Sequence, residues 1–385
     1  MPFSLSNDPE KIRTEERFPL EVLYCTNCSF SQLSIVVDPD IMFREYVYRS
    51  SISTYFRKHC EELANELIGK WISPGDLVVD IASNDGCLLQ EFKKKELTVL
   101  GIDPARNLAA IATQNGVFTL PEYWTPELAV NVLKEKGNAK AIFCVNVFAH
   151  IDELHTTLEG IKILLDKEGV FIIESPHLES LIQKTEFDTI YHEHLSYLLV
   201  KPLQRLMAMH DLRLHKVVKS DIHGGSIRVY VVHAQNPIEV DPSVEKVILE
   251  EENNGLHSYK TYDNFRTHVE KIRKDLFETL TRLKKEGKSI AAFGASAKGN
   301  VLLNYCNIGK DVISYIVDDT PEKQGKLYAG VHIPIVPRTK LLEEMPDYLL
   351  LLAWNFAKEI KEKTSEYQQR GGKYIIPVPS VRVDG

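Results

Sequence analysis

The sequence predicts an α/β protein built from two doubly wound units. Three observations support this. Short apolar strands alternate with helices over residues 77–174, a charged helical stretch follows, and the alternation starts again near residue 289. Such alternation is typical of a parallel sheet covered on both faces. The 385 residues suit two to three domains, at about 150 residues each.

The composition is that of a globular protein. Hydrophobic residues make up 44% of the chain and charged residues 26%, which excludes a disordered or collagen-like protein. No apolar run reaches the roughly 18 residues of a membrane-spanning helix, and the N-terminus lacks the apolar core of a signal peptide. The net charge of -8 gives no general attraction for nucleic acid or an anionic membrane. We therefore expect a cytoplasmic protein.

Six cysteines are scattered along the chain, and only Cys25 and Cys28 form a C-x-x-C pair. In a chain of this size without secretion signals they are typical of reduced thiols. Residues 1–57 look irregular, with hairpin-like pieces near 20–24 and 30–37. A helix is predicted over 54–71, ended by the Ser-Pro-Gly sequence that follows.

The first α/β pattern then begins. The predicted strands cover 77–81, 98–102, 141–145 and 169–174, and the predicted helices cover 87–94, 106–115 and 154–165. One amphipathic connecting helix is predicted within 241–287, because apolar residues recur there at helical spacing. The second pattern has strands at 289–293, 312–317, 348–354 and 374–376, a loop at 294–300 and a helix at 301–306.

The first strand ends in D-I-A-S-N-D-G, a turn of small and acidic residues. Ligands of doubly wound folds bind beyond the carboxyl ends of the strands. Asp80 could face an amine, and Asp103, which ends the second strand, could bond the hydroxyls of a ribose. G-x-G-x-x-G is absent, so the amino acid part of S-adenosylmethionine suits this turn better than a dinucleotide. The alternative is that both acids only cap turns.

The loop 294–300 has the sequence G-A-S-A-K-G-N and lies between a strand and a helix. Backbone N–H groups at a helix N-terminus, with Ser296 and Lys298, favour an anion such as a diphosphate. The loop does not match the Walker sequence. The alternative is a tight turn that packs the helix on the strand.

The stretch 187–197 reads F-D-T-I-Y-H-E-H-L-S-Y and brings ionisable groups together. A neutral imidazole, such as that of His192 or His194, can remove a proton from carbon beside a carbonyl. Glu193 could orient such a ring, and Tyr191 precedes both histidines. The spacing differs from H-E-x-x-H, so a zinc protease site is disfavoured. A buried polar network in a turn is the open alternative.

Several longer motifs carry a family resemblance. The chain resembles the sugar C-methyltransferases that act on nucleotide-activated keto-deoxysugars. The resemblance runs from about residue 20 to the end, in YCTNCSFSQL, YVYRSSIS, VVDIASNDGCLL, NVFAHIDE, FDTIYHEHLSY, HGGSIRVY, FGASAKGNVLLNY, VDDTPEKQGKLYAGVHIPI and LLAWNF.

The resemblance implies a three-part chain. Residues 1–57 would be the remnant of a zinc-binding region, 58–235 a Rossmann-type methyltransferase domain that binds S-adenosylmethionine, and 236–385 a Rossmann-like α/β domain that helps hold a nucleotide-diphosphate sugar. A base would remove the proton beside the ketone of a 4-keto-deoxysugar. The enolate, at C3 by family habit, would then take the methyl group.

The family motifs also imply roles for individual residues. His194 would be the base, and its catalytic neighbours would be Tyr191, Glu193, His150 and either Tyr46 or Tyr48. The cofactor would be held by Asp80, Ala82, Ser83, Asn84, Gly86, Asp103 and Asn146. The substrate would contact Ser296, Lys298, Asn300, His223, Trp354 and Asn355.

The chain departs from the family at its zinc motif. The family site has two C-x-x-C pairs, whereas only Cys25 and Cys28 are present here, and a structural zinc site needs four ligands. We therefore expect a metal-free pair of thiols. Two other functions are open alternatives: a nucleotide-sugar oxidoreductase or epimerase, and a catalytically inactive methyltransferase-like binding protein.

Overall fold

The chain divides into two packing units, each built around a mixed β-sheet. The computed structural model describes residues 6–385, with His223 described by its backbone alone. The seven-stranded unit comprises residues 22–178 and 195–257. The six-stranded unit comprises the described residues up to Glu21, residues 179–194 and residues 258–385. Residues 179–194 therefore interrupt the seven-stranded unit and belong to the six-stranded one, which the chain re-enters at residue 258.

Sixteen strands and fifteen α-helices are formed within residues 6–385. The strands are β1 Val22–Tyr24, β2 Ser31–Leu33, β3 Leu77–Ile81, β4 Thr98–Ile102, β5 Thr119–Leu120, β6 Ala139–Val145, β7 Leu165–Pro176, β8 Ser196–Tyr197, β9 Leu212–Ser220, β10 Ser226–His233, β11 Ile290–Phe293, β12 Ile316–Val317, β13 Ile335–Val336, β14 Tyr348–Leu351, β15 Lys373–Ile376 and β16 Arg382–Asp384. The helices are α1 Pro9–Arg13, α2 Pro39–Phe43, α3 Thr54–Leu67, α4 Cys87–Lys93, α5 Arg106–Gln114, α6 Pro126–Lys136, α7 Leu154–Leu164, α8 Leu178–Gln183, α9 Val200–Ala208, α10 Ser243–Asn253, α11 Tyr259–Lys285, α12 Ala297–Tyr305, α13 Thr339–Glu344, α14 Ala357–Lys363 and α15 Ser365–Gln369.

The larger sheet has the strand order β5-β4-β3-β6-β7-β10-β9. Its first five strands are parallel, and β10 runs antiparallel to both β7 and β9. Every residue of β3 is buried, because side chains of alternating direction enter two cores. Val79 belongs to the core cluster on one face, and Val78 belongs to the cluster on the other face with Phe143 and Tyr230.

This unit has two further features outside its main sheet. The short strands β1, β2 and β8 form a separate antiparallel sheet. Helix α3 begins where the Ser53 hydroxyl accepts the Phe56 N–H at 3.2 Å, a typical N-cap. It ends at Leu67, four residues earlier than predicted, because Ile68 has an extended backbone.

The smaller sheet has the order β13-β12-β11-β14-β15-β16. Only β16 is antiparallel to its neighbour among these strands. Helix α11 packs on this unit through a stripe of apolar residues at helical spacing: Val269, Ile272, Leu276, Leu280 and Leu283. The single helix predicted within 241–287 is instead two helices, because Gly255 with φ 69° breaks the run between α10 and α11.

The fold class is confirmed, since both units are α/β with largely parallel sheets. The division of the chain differs from the predicted boundaries near 57 and 235. Residues 22–57 belong to the seven-stranded unit, as does α10, whose Val244, Val247 and Ile248 enter the core of that unit. Strands β9 and β10 form a hairpin through a 3₁₀ turn at Ile222–Gly224, and this hairpin was not predicted. No helix within residues 6–385 is long and apolar enough to cross a membrane.

Candidate active site

The turn after β3 curls through three left-handed residues. Ala82 has φ 55°, Asn84 φ 54° and Gly86 φ 79°. A Cβ on Gly86 would lie 3.1 Å from the Val117 Cβ, so both the backbone angle and the close approach require glycine there. Asp103, directly after β4, fixes the turn in place, because its carboxylate accepts the Asn84 N–H at 2.7 Å.

Four buried oxygens around this turn lack hydrogen-bond partners within the described residues. They are Asp80 Oδ1, Ser83 Oγ, Asp85 Oδ1 and Asn146 Oδ1. Burial raises the pKa of Asp80 well above its usual value, and the nearby Asp103 raises it further. Burial also raises the pKa of Asp103 to about 6. Buried polar atoms are nearly always paired in native proteins, so this cluster is a candidate site for a polar ligand.

The segment around Tyr46 and Tyr48 lies against the same turn. The Asn84 amide donates to the Tyr48 carbonyl at 3.1 Å, and the Tyr46 backbone exchanges two hydrogen bonds with the Asn107 side chain. The Tyr46 ring lies 6.0 Å from the Phe43 ring, and the His150 ring stacks on Phe43 at 6.1 Å, both measured between centroids. Phe43 therefore contacts both predicted residues, whereas Tyr48 is 48% exposed.

Two residues of this site were missed by the sequence reasoning. Asp85 accepts hydrogen bonds from both the backbone N–H and the hydroxyl of Ser51, at 3.2 and 2.5 Å. Asp85 lies in the acidic turn that the sequence singled out, so its position was a usable signal. Ser51 lies in the Y-V-Y-R-S-S motif but has no local pattern that indicates this contact.

The Y-H-E-H segment lies in the six-stranded unit. The His194 Nδ1 is 2.7 Å from the Thr189 carbonyl oxygen. A carbonyl only accepts, so Nδ1 carries the hydrogen and Nε2 of the neutral ring has the lone pair. The Tyr191 ring lies 4.1 Å from the His194 ring, measured between centroids. The ring of His194 is thus held in the tautomer that a base acting through Nε2 requires.

The other members of the segment differ in their surroundings. The His192 Nε2 donates to the Pro19 carbonyl at 2.9 Å, and its ring contacts Phe18 edge-on. Glu193 is buried, with 4% of its surface exposed. His192 is therefore bound to the N-terminal segment, while His194 is oriented by its own turn.

The predicted substrate residues of the loop 294–300 lie at the start of a helix. Helix α12 already begins at Ala297, because the Ser296 hydroxyl accepts the Gly299 N–H at 3.2 Å; the predicted loop was too long. Lys298 Nζ lies 3.7 Å from Asp188 Oδ1 and 4.8 Å from the Trp354 ring centroid.

The remaining substrate predictions are spread over both units. Asn300 donates to the Ala329 carbonyl at 2.8 Å, and Asn355 is exposed in the turn after β14. The backbone of His223 lies in the turn before β10, and its side chain is outside the described residues.

Cys25 and Cys28 lie in the turn between β1 and β2, where the Cys25 N–H donates to the Phe30 carbonyl. The backbone N–H of Cys28 lowers the pKa of the Cys25 thiol, with that of Asn27 adding to the effect. Within residues 6–385, no three His, Cys, Asp or Glu side chains are grouped so that they could hold a metal ion.

The predicted site residues thus fall into two groups. Those of the six-stranded unit are Tyr191, Glu193, His194, Ser296, Lys298, Asn300, Trp354 and Asn355. Those of the seven-stranded unit are Tyr46, Tyr48, Asp80, Ala82, Ser83, Asn84, Gly86, Asp103, Asn146, His150 and His223.

Comparisons with known proteins cover both units. Among solved structures, the chain is similar to magnesium protoporphyrin IX methyltransferase (ChlM) from Synechocystis PCC 6803 with bound SAM. The identity is 14%, the TM-score 0.36, and the match covers 46% of this chain and 79% of that one. A SAM-dependent methyltransferase from Anabaena variabilis ATCC 29413 matches at 16% identity and a TM-score of 0.37, over 47% of this chain and 86% of that one.

The sequence comparisons reach much further along the chain. Residues 52–217 match a methyltransferase domain family, and residues 221–379 match the C-methyltransferase C-terminal domain family. The chain is 37% identical over 383 residues to C-methyltransferase NovU of Streptomyces niveus, which covers 99% of this chain and 91% of that protein. The chain therefore belongs to the S-adenosylmethionine-dependent C-methyltransferases.

Proposed function

We propose that the chain methylates a ring carbon of a nucleotide-diphosphate 4-keto-deoxysugar, with His194 as the base. The observation that carries the proposal is the hydrogen bond from His194 Nδ1 to the Thr189 carbonyl, which leaves the basic lone pair on Nε2. The sugar substrate, and C3 as the methylated carbon, rest on the motif resemblance between residue 20 and the C-terminus.

The base makes the nucleophile. The His194 Nε2 takes the proton from the carbon beside the ketone, and the electron pair of that C–H bond enters the enolate. An imidazole titrates near neutral pH, so it can both take and return this proton. Tyr191, whose ring is tilted against that of His194, and His150 are the proposed donors to the enolate oxygen, which acquires negative charge as the proton leaves.

The acidic turn after β3 is the proposed cofactor site. When bound there, S-adenosylmethionine would supply an electrophilic methyl group to the carbon nucleophile, with a neutral thioether as the leaving group. The unpartnered Asp80, Ser83 and Asn146 oxygens suit its amino acid part, and the Asp103 carboxylate suits the ribose hydroxyls. The left-handed backbone of Ala82, Asn84 and Gly86 keeps this turn tight.

The N-terminus of α12 is the proposed contact for the diphosphate of the substrate. Backbone N–H groups there, together with the Lys298 ammonium, attract an anion. Ser296, Asn300, Trp354, Asn355 and His223 complete the proposed set of substrate contacts. Only Lys298 among them carries a positive charge, and in this structure it faces Asp188.

The substrate is tested with a panel of nucleotide-linked sugars and isotopically labelled methyl donor, followed by mass spectrometry. We expect one added methyl group on 4-keto-deoxysugars and none on the matching 4-hydroxy sugars, because only the ketone acidifies the neighbouring carbon. Methylation of both, or tight NAD(H) binding without any methyl transfer, would contradict the proposal.

The base is tested by His194→Ala, with His192→Asn as the matched control two residues away. We expect His194→Ala to abolish methyl transfer while the dissociation constant for S-adenosylmethionine stays within about twofold. Calorimetry measures the binding, and exchange of the substrate hydrogen with deuterated solvent measures the proton removal directly. Near wild-type turnover of His194→Ala would remove this residue from the mechanism.

A further inference from the structure

Asp188, which follows Phe187 in the F-D-T-I-Y-H-E-H motif, has no role in the chemistry so far. Its side chain is fully buried, with 0% exposed. Asp188 Oδ2 accepts the Trp354 indole N–H at 2.6 Å. Asp188 Oδ1 has no hydrogen-bond partner among the described residues, and Lys298 Nζ lies 3.7 Å away. A buried carboxylate is costly unless it is paired, and the Trp354 N–H and the Lys298 ammonium are the groups that offset this cost.

Asp188 is bound to residues that follow two adjacent parallel strands. Lys298 lies in α12, after β11, and Trp354 lies in the 3₁₀ turn after β14. The two strands are paired, so their ends are fixed relative to each other. The Lys298 ammonium also lies over the Trp354 ring, 4.8 Å from its centroid, which stabilises both partners of the carboxylate.

Asp188 also lies in the turn whose Thr189 carbonyl orients His194. Asp188 is the middle residue of the 3₁₀ turn Phe187–Thr189. The Thr189 N–H and hydroxyl both donate to the Glu186 carbonyl, at 3.0 and 2.6 Å. The peptide that carries the Thr189 carbonyl is held as well, because its N–H, that of Ile190, donates to the Phe187 carbonyl at 3.0 Å. The Thr189 carbonyl accepts from His194 Nδ1.

We infer that Asp188 is a positioning residue for His194: it fixes the 3₁₀ turn to Trp354 and Lys298, and the turn presents the Thr189 carbonyl that selects the His194 tautomer. This inference rests on the proposed role of His194 as base. Outer residues that orient a metal-binding histidine typically change metal affinity or activity by about 10- to 100-fold when removed, and we expect the same range for this base.

The test uses the full-length chain and the substitution Asp188→Asn. The asparagine keeps the size of the side chain, but it cannot accept from the Trp354 N–H and still present an acceptor to Lys298, because its second group is an NH₂. Trp354→Phe is the second variant, since it removes the N–H donor and keeps an aromatic ring. Glu186→Gln is the matched control, a buried acid two residues earlier.

The first readout is the tautomer of His194, measured by ¹⁵N NMR on histidine-labelled protein, with His194→Gln used to assign the signal. We expect the Nδ1–H form in the wild type and in Glu186→Gln, and a mixture of tautomers in Asp188→Asn and Trp354→Phe. The second readout is steady-state kinetics. We expect kcat of Asp188→Asn to fall about 10- to 100-fold, with KM for S-adenosylmethionine unchanged.

The two proposals fail in different ways. If His194→Ala is inactive while Asp188→Asn keeps both the wild-type tautomer and the wild-type kcat, the inference about Asp188 is overturned and the proposed base stands. If His194→Ala is active, the proposed base is wrong, and the NMR result alone decides whether Asp188 orients the ring.

Discussion

The turns after β3 and after β11 have the same backbone device in two different units. The next strand along the chain or sheet, β4 in one unit and β12 in the other, is followed by an aspartate, Asp103 or Asp318. The carboxylate of this aspartate accepts a backbone N–H from the turn after β3 or β11. The donor is Asn84 at 2.7 Å in the seven-stranded unit and Ala295 at 2.8 Å in the six-stranded unit. Each carboxylate also accepts the N–H two residues further along, that of Ala105 or Thr320.

The side chains around the two turns differ. Lys323 Nζ lies 3.3 Å from Asp318 Oδ2 and donates to the Ala295 carbonyl at 2.9 Å. Lys323 therefore pairs with both the carboxylate and the backbone of the turn after β11. The turn after β3 instead surrounds Asp80, whose buried Oδ1 has no partner within residues 6–385. The residue at the matching place in β11 is Ala292. The two turns therefore share these backbone contacts, and the buried polar atoms without partners among the described residues distinguish the turn after β3, the proposed cofactor site.

The largest expected effect comes from placing an aspartate in β11 at the position that matches Asp80 in β3. Ala292 has 0% of its surface exposed, so Ala292→Asp buries a carboxylate without a prepared partner. We expect the free energy of unfolding to fall by about 3–5 kcal/mol, measured by urea denaturation at pH 7. Ala292→Asn is the control of equal size. If both variants lose the same stability at every pH, the added volume rather than the charge causes the loss, and the contrast between the two turns is not electrostatic.

A smaller effect is expected from removing the carboxylate of Asp103 or of Asp318, which hold the two turns. Asp103→Ala should weaken S-adenosylmethionine binding by about 1–3 kcal/mol, because polar partners are left unpaired. Asp318→Ala should leave that affinity unchanged and lower only stability. Calorimetric titration of both variants checks this, and an unchanged dissociation constant for Asp103→Ala would contradict the assignment of the cofactor site.

The pH dependence of stability sharpens the comparison further. The pKa of Asp103 is raised to about 6 by burial, whereas an unfolded aspartate titrates near about 3.9. Between these values the folded state holds a proton that the unfolded state lacks, so stability from this group is complete below about 3.9 and is lost as the pH rises through 6. We expect the wild type to gain about 1 kcal/mol over Asp103→Asn between pH 7 and 5. Denaturation curves at both pH values measure this, and parallel behaviour of the two proteins would refute it.

The smallest effect is expected at the lysine that closes the turn after β11. Lys323→Ala should lower the free energy of unfolding by about 0.5–1 kcal/mol, since one hydrogen bond and one partly exposed ion pair are lost. Binding of S-adenosylmethionine should not change. A measurable loss of affinity for S-adenosylmethionine in this variant would mean that the turn after β11 also contributes to cofactor binding.

Much of the fold could be predicted because buried strands have unmistakable sequences. β3 and β4 were predicted to the residue, since each is a short apolar run ended by an aspartate or an adjoining acidic turn. The start of α12 was missed although Ser296 is a good N-cap residue, because the glycines around it favoured a loop. The break at Gly255 was missed because the apolar spacing of α11 dominated the interpretation.

The candidate site was less predictable because its key partners are distant or belong to the backbone. The orientation of His194 depends on the Thr189 carbonyl, and any residue type can supply a carbonyl. The contact of Asp188 with Trp354 joins residues 166 positions apart, and no local pattern indicates such a pair. The acids Asp80 and Asp103 were found because the βα turn confines them to neighbouring strand ends.

The passage of residues 179–194 into the six-stranded unit has a consequence for how this chain could be cut or recombined. Phe187 belongs to the core of that unit, against Tyr305, although the chain before residue 179 and after residue 194 belongs to the other unit. A gene fragment that starts at residue 258 would leave an apolar hole where Phe187 sits. A chimera that exchanges residues 258–385 with a homologue therefore has to exchange this short inserted piece as well.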